Sequence, residues 1–271
     1  MPKVKVDDIE LYYELHGEGI PLVMIMGLGR SSGSWGSEFI GKLSKFHRVI
    51  IYDNRGTGRS DKPDIEYSMG MMADDIAGLM DVINVPRAHV LGISMGGMIA
   101  QELALNRPEK VLGLILCSTS CGGPDRAQKR AELSAQLLTL MNPPPGLSRE
   151  EALKHQWGMM YTQRYVQENM EALMKDAAKP SEYPTPPFVW RRQAQAGLNF
   201  YTYDRLPSIR VPTMVLGGEE DIMTLPENFR ILADNIPGAQ LRLFKDAAHG
   251  FLWEVMDQAV RAILDFLAGV S

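Results

Sequence analysis

The segment Gly92-Ile93-Ser94-Met95-Gly96 carries the strongest chemical signal in the chain. It joins the apolar run Ala88–Ile93, which reads as a buried strand, to Met95–Asn106, which reads as an amphipathic helix. Flanking glycines permit the sharp, strained turn that lifts a serine side chain above a sheet. The helix start behind it offers free N–H groups and the positive end of a dipole. A glycine-rich turn whose serine only caps the helix is the competing reading, and the strand–turn–helix context weighs against it. Ser94 is therefore the candidate nucleophile.

A serine hydroxyl is a weak nucleophile and needs a base, itself oriented by an acid. When a serine occupies such a turn, the acid and then the histidine follow it along the chain. Among five histidines, only His249 lies after a late strand in a small-residue loop, Asp246-Ala247-Ala248-His249-Gly250. His16 and His47 precede the serine, His89 begins the strand leading to it, and His155 falls in a helical stretch. The acid should leave the preceding strand, where Gly217-Gly218-Glu219-Glu220-Asp221 follows Thr213-Met214-Val215-Leu216. Of three adjacent carboxylates, Asp221 is placed at the loop tip with a short side chain. Glu219 and Glu220 read as solvated or salt-bridged. An aspartate here holds the imidazole tautomer and stabilises the imidazolium without taking the proton.

Acyl chemistry at a serine also needs two fixed N–H donors for the developing oxyanion. The backbone of Met95, directly after the nucleophile, is one candidate. The backbone of Leu28 is the other, in Met26-Gly27-Leu28-Gly29, where the chain turns back after the apolar run from Pro21. That tetrapeptide also reads simply as a strand exit.

The elements that must hold these residues alternate. Residues 4–6 and 10–15 flank Asp7-Asp8 as a hairpin. Continuous apolar runs at 21–26 and 48–52 suit strands covered on both faces. A helix is expected over 35–46. Over 68–84, Met72, Ile76, Leu79, Met80 and Ile83 mark one helix face. Strands separated by such helices imply right-handed crossovers and a mostly parallel, doubly wound sheet of the eight-stranded type. Residues 122–205 break the rhythm, with helices expected near 125–141, 149–160, 164–178 and 188–200 and proline breaks at Pro143-Pro144-Pro145-Gly146 and 184–187. Strand–helix alternation then resumes with 213–216, 226–235, 240–244 and 254–268. The expected division is a core of 1–121 and 206–271, with 122–205 an all-helical cap.

With Tyr52-Asp53-Asn54-Arg55-Gly56-Thr57-Gly58-Arg59-Ser60-Asp61, these ordered segments resemble the α/β-hydrolase superfamily over nearly the whole chain outside the insertion. The resemblance implies a Ser94–Asp221–His249 triad beneath a helical cap, with no metal or organic cofactor. It also implies that 53–61 is architectural, a turn locked by Arg55 and its glycines. One departure is Met26, where many relatives have the histidine of a His-Gly pair that shapes the loop. Enol-lactonases of aromatic catabolism also lack that histidine and carry Leu-Gly in the loop, and 92–117 resembles theirs. The implied activity is a serine carboxylesterase or lactonase. Carbon–carbon bond hydrolysis or a lyase reaction on the same triad, and a hydrolase-like small-ligand receptor, are the alternatives. A serine at the turn disfavours the aspartate-nucleophile dehalogenases and epoxide hydrolases.

Composition excludes other classes. Hydrophobic residues are 45% and charged residues 23%, and the net charge of -5 comes without any basic strip, which disfavours nucleic acid as a partner. Arg191-Arg192 reads as a solvated helix face. No apolar run approaches the ~18 residues of a membrane span, and the first residues read as a strand and not as a leader. Cys117 and Cys121 lack zinc-site companions and read as reduced thiols of a cytoplasmic protein. The expected partner is a small-molecule ester or lactone. Seventeen methionines, several in the insertion, suggest an adaptable apolar pocket. Trp157, Met160 and Trp190 are candidates for its wall, although aromatic and methionine residues at helical spacing also suit a plain core. Met223, just past the acid, has the better positional argument.

Overall fold

Strand β3 (Pro21–Ile25) shows why the sheet is covered on both faces. Val23 and Ile25 join one apolar cluster with Met72, Ile76 and Ile99, while Leu22 and Met24 join another with Phe39, Phe251 and Ile263. A strand with both faces buried has no position for a polar side chain, which explains its unbroken apolar run. The computed structural model describes residues 3–127, 130–141, 144–179 and 182–270.

The remaining strands are β1 (Lys3–Val6), β2 (Ile9–His16), β4 (Arg48–Tyr52), β5 (Ala88–Ile93), β6 (Val111–Cys117), β7 (Thr213–Gly218) and β8 (Gln240–Phe244). They form one eight-stranded sheet in the order β1-β2-β4-β3-β5-β6-β7-β8. β1 and β2 form the expected hairpin, β2 runs antiparallel to β4, and every later pairing is parallel. The fold class read from the sequence is the one observed.

Helices α1 (Ser37–Leu43), α2 (Met69–Val82) and α3 (Met95–Asn106) serve the first crossovers. Ser68 caps α2 by accepting the Met71 N–H. The helix expected over 35–46 instead divides into a short 3-10 turn, Ser32–Trp35, and α1, separated by Gly36 at φ 75°. Among the described residues, five α-helices lie between β6 and β7: α4 (Arg130–Met141), α5 (Arg149–Met160), α6 (Gln163–Glu168), α7 (Met170–Ala177) and α8 (Pro187–Asn199). The expected single helix over 164–178 breaks at Asn169, whose ψ of 15° leaves the helical range. Ser148 and Glu151 close a capping box at the start of α5. Pro143, the first residue of the expected proline break, lies outside the described residues.

The two chain crossings into this helical segment are stitched together. Thr202 N–H donates to Cys121 O at 2.9 Å and Gly123 N–H to Phe200 O at 3.0 Å. After β7 come α9 (Pro226–Asn235), α10 (Phe251–Glu254) and α11 (Met256–Ala268). The expected helix over 254–268 is thus preceded by a separate short one, with the break at Val255.

Candidate active site

Ser94 sits between β5 and α3 at φ 56° and ψ -120°, a region that L-residues seldom occupy and that marks stored strain. Positions 92 and 96, two residues to either side, must be glycine because the turn is so tight. A Cβ on Gly92 would fall 2.2 Å from Gly96 O, and one on Gly96 would fall 2.1 Å from Ile25 O. Hydrogen bonds over-determine the turn: Ser94 N–H donates to Cys117 O at 2.8 Å, and Thr119 Oγ1 donates to Ser94 O at 2.7 Å. Met95 is the first residue of α3, so its N–H precedes any intrahelical acceptor.

The loop after β7 brings Asp221 under the site. Its two preceding carboxylates, Glu219 and Glu220, are exposed, whereas Asp221 is buried. Asp221 Oδ1 accepts the Met223 and Thr224 N–H groups, each at 2.8 Å. Asp221 Oδ2 faces His249 Nδ1 at 2.9 Å. Both oxygens are thereby engaged, and the contact assigns the imidazole proton to Nδ1. Nε2 is then the nitrogen free to accept a proton. The main chain of His249 is pinned as well, since Ser118 Oγ donates to His249 O at 3.0 Å and Gly250 N–H donates to Met160 O at 2.7 Å.

The loop after β3 completes the arrangement. A Cβ on Gly27 would lie 3.3 Å from Ser94 Cβ, so the chain passes directly over the serine. Asn54 Nδ2 donates to Met26 O at 3.0 Å, and Tyr52 OH donates to Asn54 Oδ1 at 2.7 Å. Asp53 accepts from Ser32 N–H, Ser32 Oγ and Arg59 N–H, all at 2.7 Å. Arg55 forms a two-pronged pair with Asp75, both contacts at 2.6 Å. These bonds give residues 53–61 a scaffolding role beside the site.

Ser94, His249, Leu28, Met95 and Met223 line one cavity of about 60 Å³. Met98, Ser120 and Thr224 also line it, and α4 and α8 contribute Leu137, Gln193, Ala194 and Gly197. Trp157, Met160 and Trp190 are not among the lining residues. The indole of Trp190 packs on the backbone of Gly29, where an added Cβ would meet it at 2.3 Å. Met160 meets the His249 loop through its carbonyl, which accepts the Gly250 N–H, and Trp157 lies about one turn earlier on the same helix. The wall is therefore made by α4 and α8, not by α5. Met98 was detectable, being three residues after Met95 on one helix face. Gln193 carried no apolar signal. A larger surface depression of about 360 Å³ lies between β8 and α11, lined by Arg242, Asp265 and Phe266 among others, away from these loops.

Comparison with known proteins agrees with this architecture. The family model described as alpha/beta hydrolase fold matches residues 20–254. The chain belongs to the α/β-hydrolase family. An inferred carbamate hydrolase, RutD of Azorhizobium caulinodans, is 31% identical over the full length of both chains. Among solved structures, the enol-lactonase of Burkholderia xenovorans LB400 is 25% identical with a TM-score of 0.85, over 98% of this chain and 100% of that one. Est816, described as an N-acyl homoserine lactone degrading enzyme, is 32% identical with a TM-score of 0.80, again over 98% and 100%. This α/β hydrolase is accordingly an enzyme with hydrolase relatives. Among the described residues, no helix is long and apolar enough to cross a membrane.

Proposed function

We propose that this α/β hydrolase cleaves a carboxylic ester or lactone with a largely apolar acyl or ring portion, through an acyl-enzyme on Ser94. The observation that carries the reading is the buried His249 Nδ1–Asp221 Oδ2 contact at 2.9 Å, in an imidazole that shares one cavity with a strained serine. His249 Nε2 takes the Ser94 proton as Oγ attacks the carbonyl, then delivers it to the leaving oxygen. Asp221 stabilises the imidazolium through Nδ1–H. The N–H groups of Met95 and Leu28 receive the oxyanion of the tetrahedral intermediate. Water, activated by the same imidazole, then releases the acid and regenerates the serine.

Residues 122–205 act as the cap, with Leu137, Gln193, Ala194 and Gly197 closing the acyl pocket. Met95, Met98 and Met223 give that pocket an adaptable apolar surface suited to a hydrocarbon portion. The lactones named for Est816 and the Burkholderia enzyme support the bond class. The buried free thiols of Cys117 and Cys121 fit a reducing, cytoplasmic setting.

Intact-mass analysis after incubation with a small fluorophosphonate, followed by peptide mapping, tests the reading. A single adduct on Ser94 is expected, together with turnover of short aryl esters. Folded protein that takes no adduct and turns over no ester or lactone overturns it.

A further inference from the structure

We propose that Gln193 is a positioning residue for the oxyanion loop, so that the helical segment between β6 and β7 assembles the oxyanion hole as well as covering it. The inference rests on the reading of Leu28 N–H as an oxyanion donor.

Oxyanion donors work by being fixed before charge develops. Within this loop one long bond, from Arg30 N–H to Gly27 O at 3.3 Å, closes the turn, while glycine is the residue with most backbone freedom and Gly29 stands at φ 67°. The core anchors the two ends of this loop, through Asn54 on Met26 O and through Asp53 on Ser32. Its middle, at Gly29, is held from the insertion. Gln193 Oε1 accepts the Gly29 N–H at 2.8 Å, which fixes the peptide unit immediately after Leu28. Thr185 Oγ1 donates to Gly29 O at 2.9 Å, which fixes the next unit. The Trp190 indole fills the space beside Gly29.

Gln193 is itself immobilised. Its side-chain amide Nε2 donates to Arg55 O at 3.1 Å, and Arg55 is locked by its pair with Asp75. The residue is fully buried, and turning its amide over would set N–H against N–H at Gly29 and oxygen against oxygen at Arg55. Only one orientation satisfies both partners, so a helix of the insertion is bolted between the scaffold turn and the oxyanion loop. A mere wall of an apolar pocket needs no such amide, because burying one costs free energy unless both ends are bonded.

Two variants test this, assayed with p-nitrophenyl butyrate, with butylboronic acid as a tetrahedral mimic, and by hydrogen exchange at residues 27–30. Gln193→Met keeps the volume and removes both hydrogen bonds. We expect kcat to fall roughly 10- to 100-fold, part of the ~10²–10³ that loss of a whole donor costs. KM should stay within about threefold, and boronate affinity should weaken in parallel with kcat, the mark of a transition-state interaction. Thr185→Val lies outside the cavity and should give a smaller loss of the same kind. Both should speed exchange of the Gly29 amide. An unchanged kcat in both folded variants overturns the proposal. So does a rise in KM alone with boronate affinity intact, which would make Gln193 only a pocket wall. If Gln193→Met fails to fold, Thr185→Val decides by the same criteria. Should the wild-type protein take neither fluorophosphonate nor ester, the hydrolytic reading fails separately. Gly29 exchange then decides the positioning claim, and unchanged exchange in Thr185→Val overturns it.

Discussion

Glu254 and Thr162 join the helical insertion to the His249 loop: Glu254 Oε1 accepts the Thr162 N–H at 2.7 Å, while its Oε2 accepts the Ala248 N–H at 2.6 Å. One carboxylate thus ties the start of α6 to the residue preceding the proposed base. Glu254→Ala removes two charge-assisted bonds, each worth roughly 1.5–3 kcal/mol. Because the side chain is partly exposed, water recovers some of that, and urea denaturation should show a loss of about 2–4 kcal/mol. A looser His249 loop should also lower kcat/KM by roughly tenfold, about 1.4 kcal/mol of transition-state stabilisation. A stability loss with unaltered kinetics would mean that the Ala248 bond does not reach the imidazole.

The serine and the acid should respond differently to removal. If Ser94, His249 and Asp221 act as a unit, Ser94→Ala should lower kcat by about 10⁶ and abolish fluorophosphonate labelling. Asp221→Asn leaves the shape intact but cannot hold the Nδ1–H tautomer, and should cost about 10⁴. Steady-state ester hydrolysis by both variants, with circular dichroism to verify folding, checks the pair. Asp221→Asn with near-normal kcat would reassign the acid, with Glu219 and Glu220 the next to test.

Sequence disclosed these parts of the molecule unequally, for a physical reason. The turn at Ser94 was legible because its requirement is local: the glycines at 92 and 96 are demanded by atoms within a few residues or by the adjacent strand. The inner strands were legible because burial on two faces leaves a nearly continuous apolar run. Asp221 was separable from its acidic neighbours because the loop geometry favours one short side chain. Gln193 was hidden for the opposite reason. It follows Arg191-Arg192 in a polar stretch, and the partners that bury it, Gly29 and Arg55, lie 164 and 138 residues away. Trp190 misled for the same cause, since its indole is claimed by Gly29 and not by the cavity. The divisions at Asn169 and Val255 left the helical periodicity almost unchanged, so spacing alone overlooked them.

Gly197 offers a test of the pocket wall. It lies within α8, where a Cβ would meet only Met98 Sδ at 3.8 Å and Met69 Cε at 4.0 Å, ordinary contact distances. Gly197→Ala should therefore stabilise the fold by roughly 0.5–1 kcal/mol through reduced freedom of the unfolded chain. The added methyl enters a cavity of only about 60 Å³. Comparing p-nitrophenyl acetate with the hexanoate should show KM rising for the longer ester and little change for the shorter. Equal changes for both chain lengths would place the acyl group elsewhere.

His89 predicts how stability depends on pH. It is fully buried near the start of β5, neither ring nitrogen is hydrogen-bonded among the described residues, and it meets His47 edge-on at 5.9 Å between ring centres. Burial, reinforced by the neighbouring His47, pushes its pKa down to about 4. His47 is shifted downward too, by burial acting against its contact with Ile20 O. In the unfolded chain an imidazole takes its proton near pH ~6.5. Between those limits the unfolded state binds a proton that the folded state refuses, so stability falls as pH falls through this window. Above about pH 7 the contribution is complete, and by pH 4 it has cost on the order of 3 kcal/mol. His89→Leu removes the group and its unbonded nitrogens. Urea midpoints measured from pH 7.5 to 4.5 should therefore decline less steeply in the variant, by about one proton in the linkage slope. The variant should also gain on the wild type at pH 5. Parallel declines would show that the acid sensitivity resides in other groups.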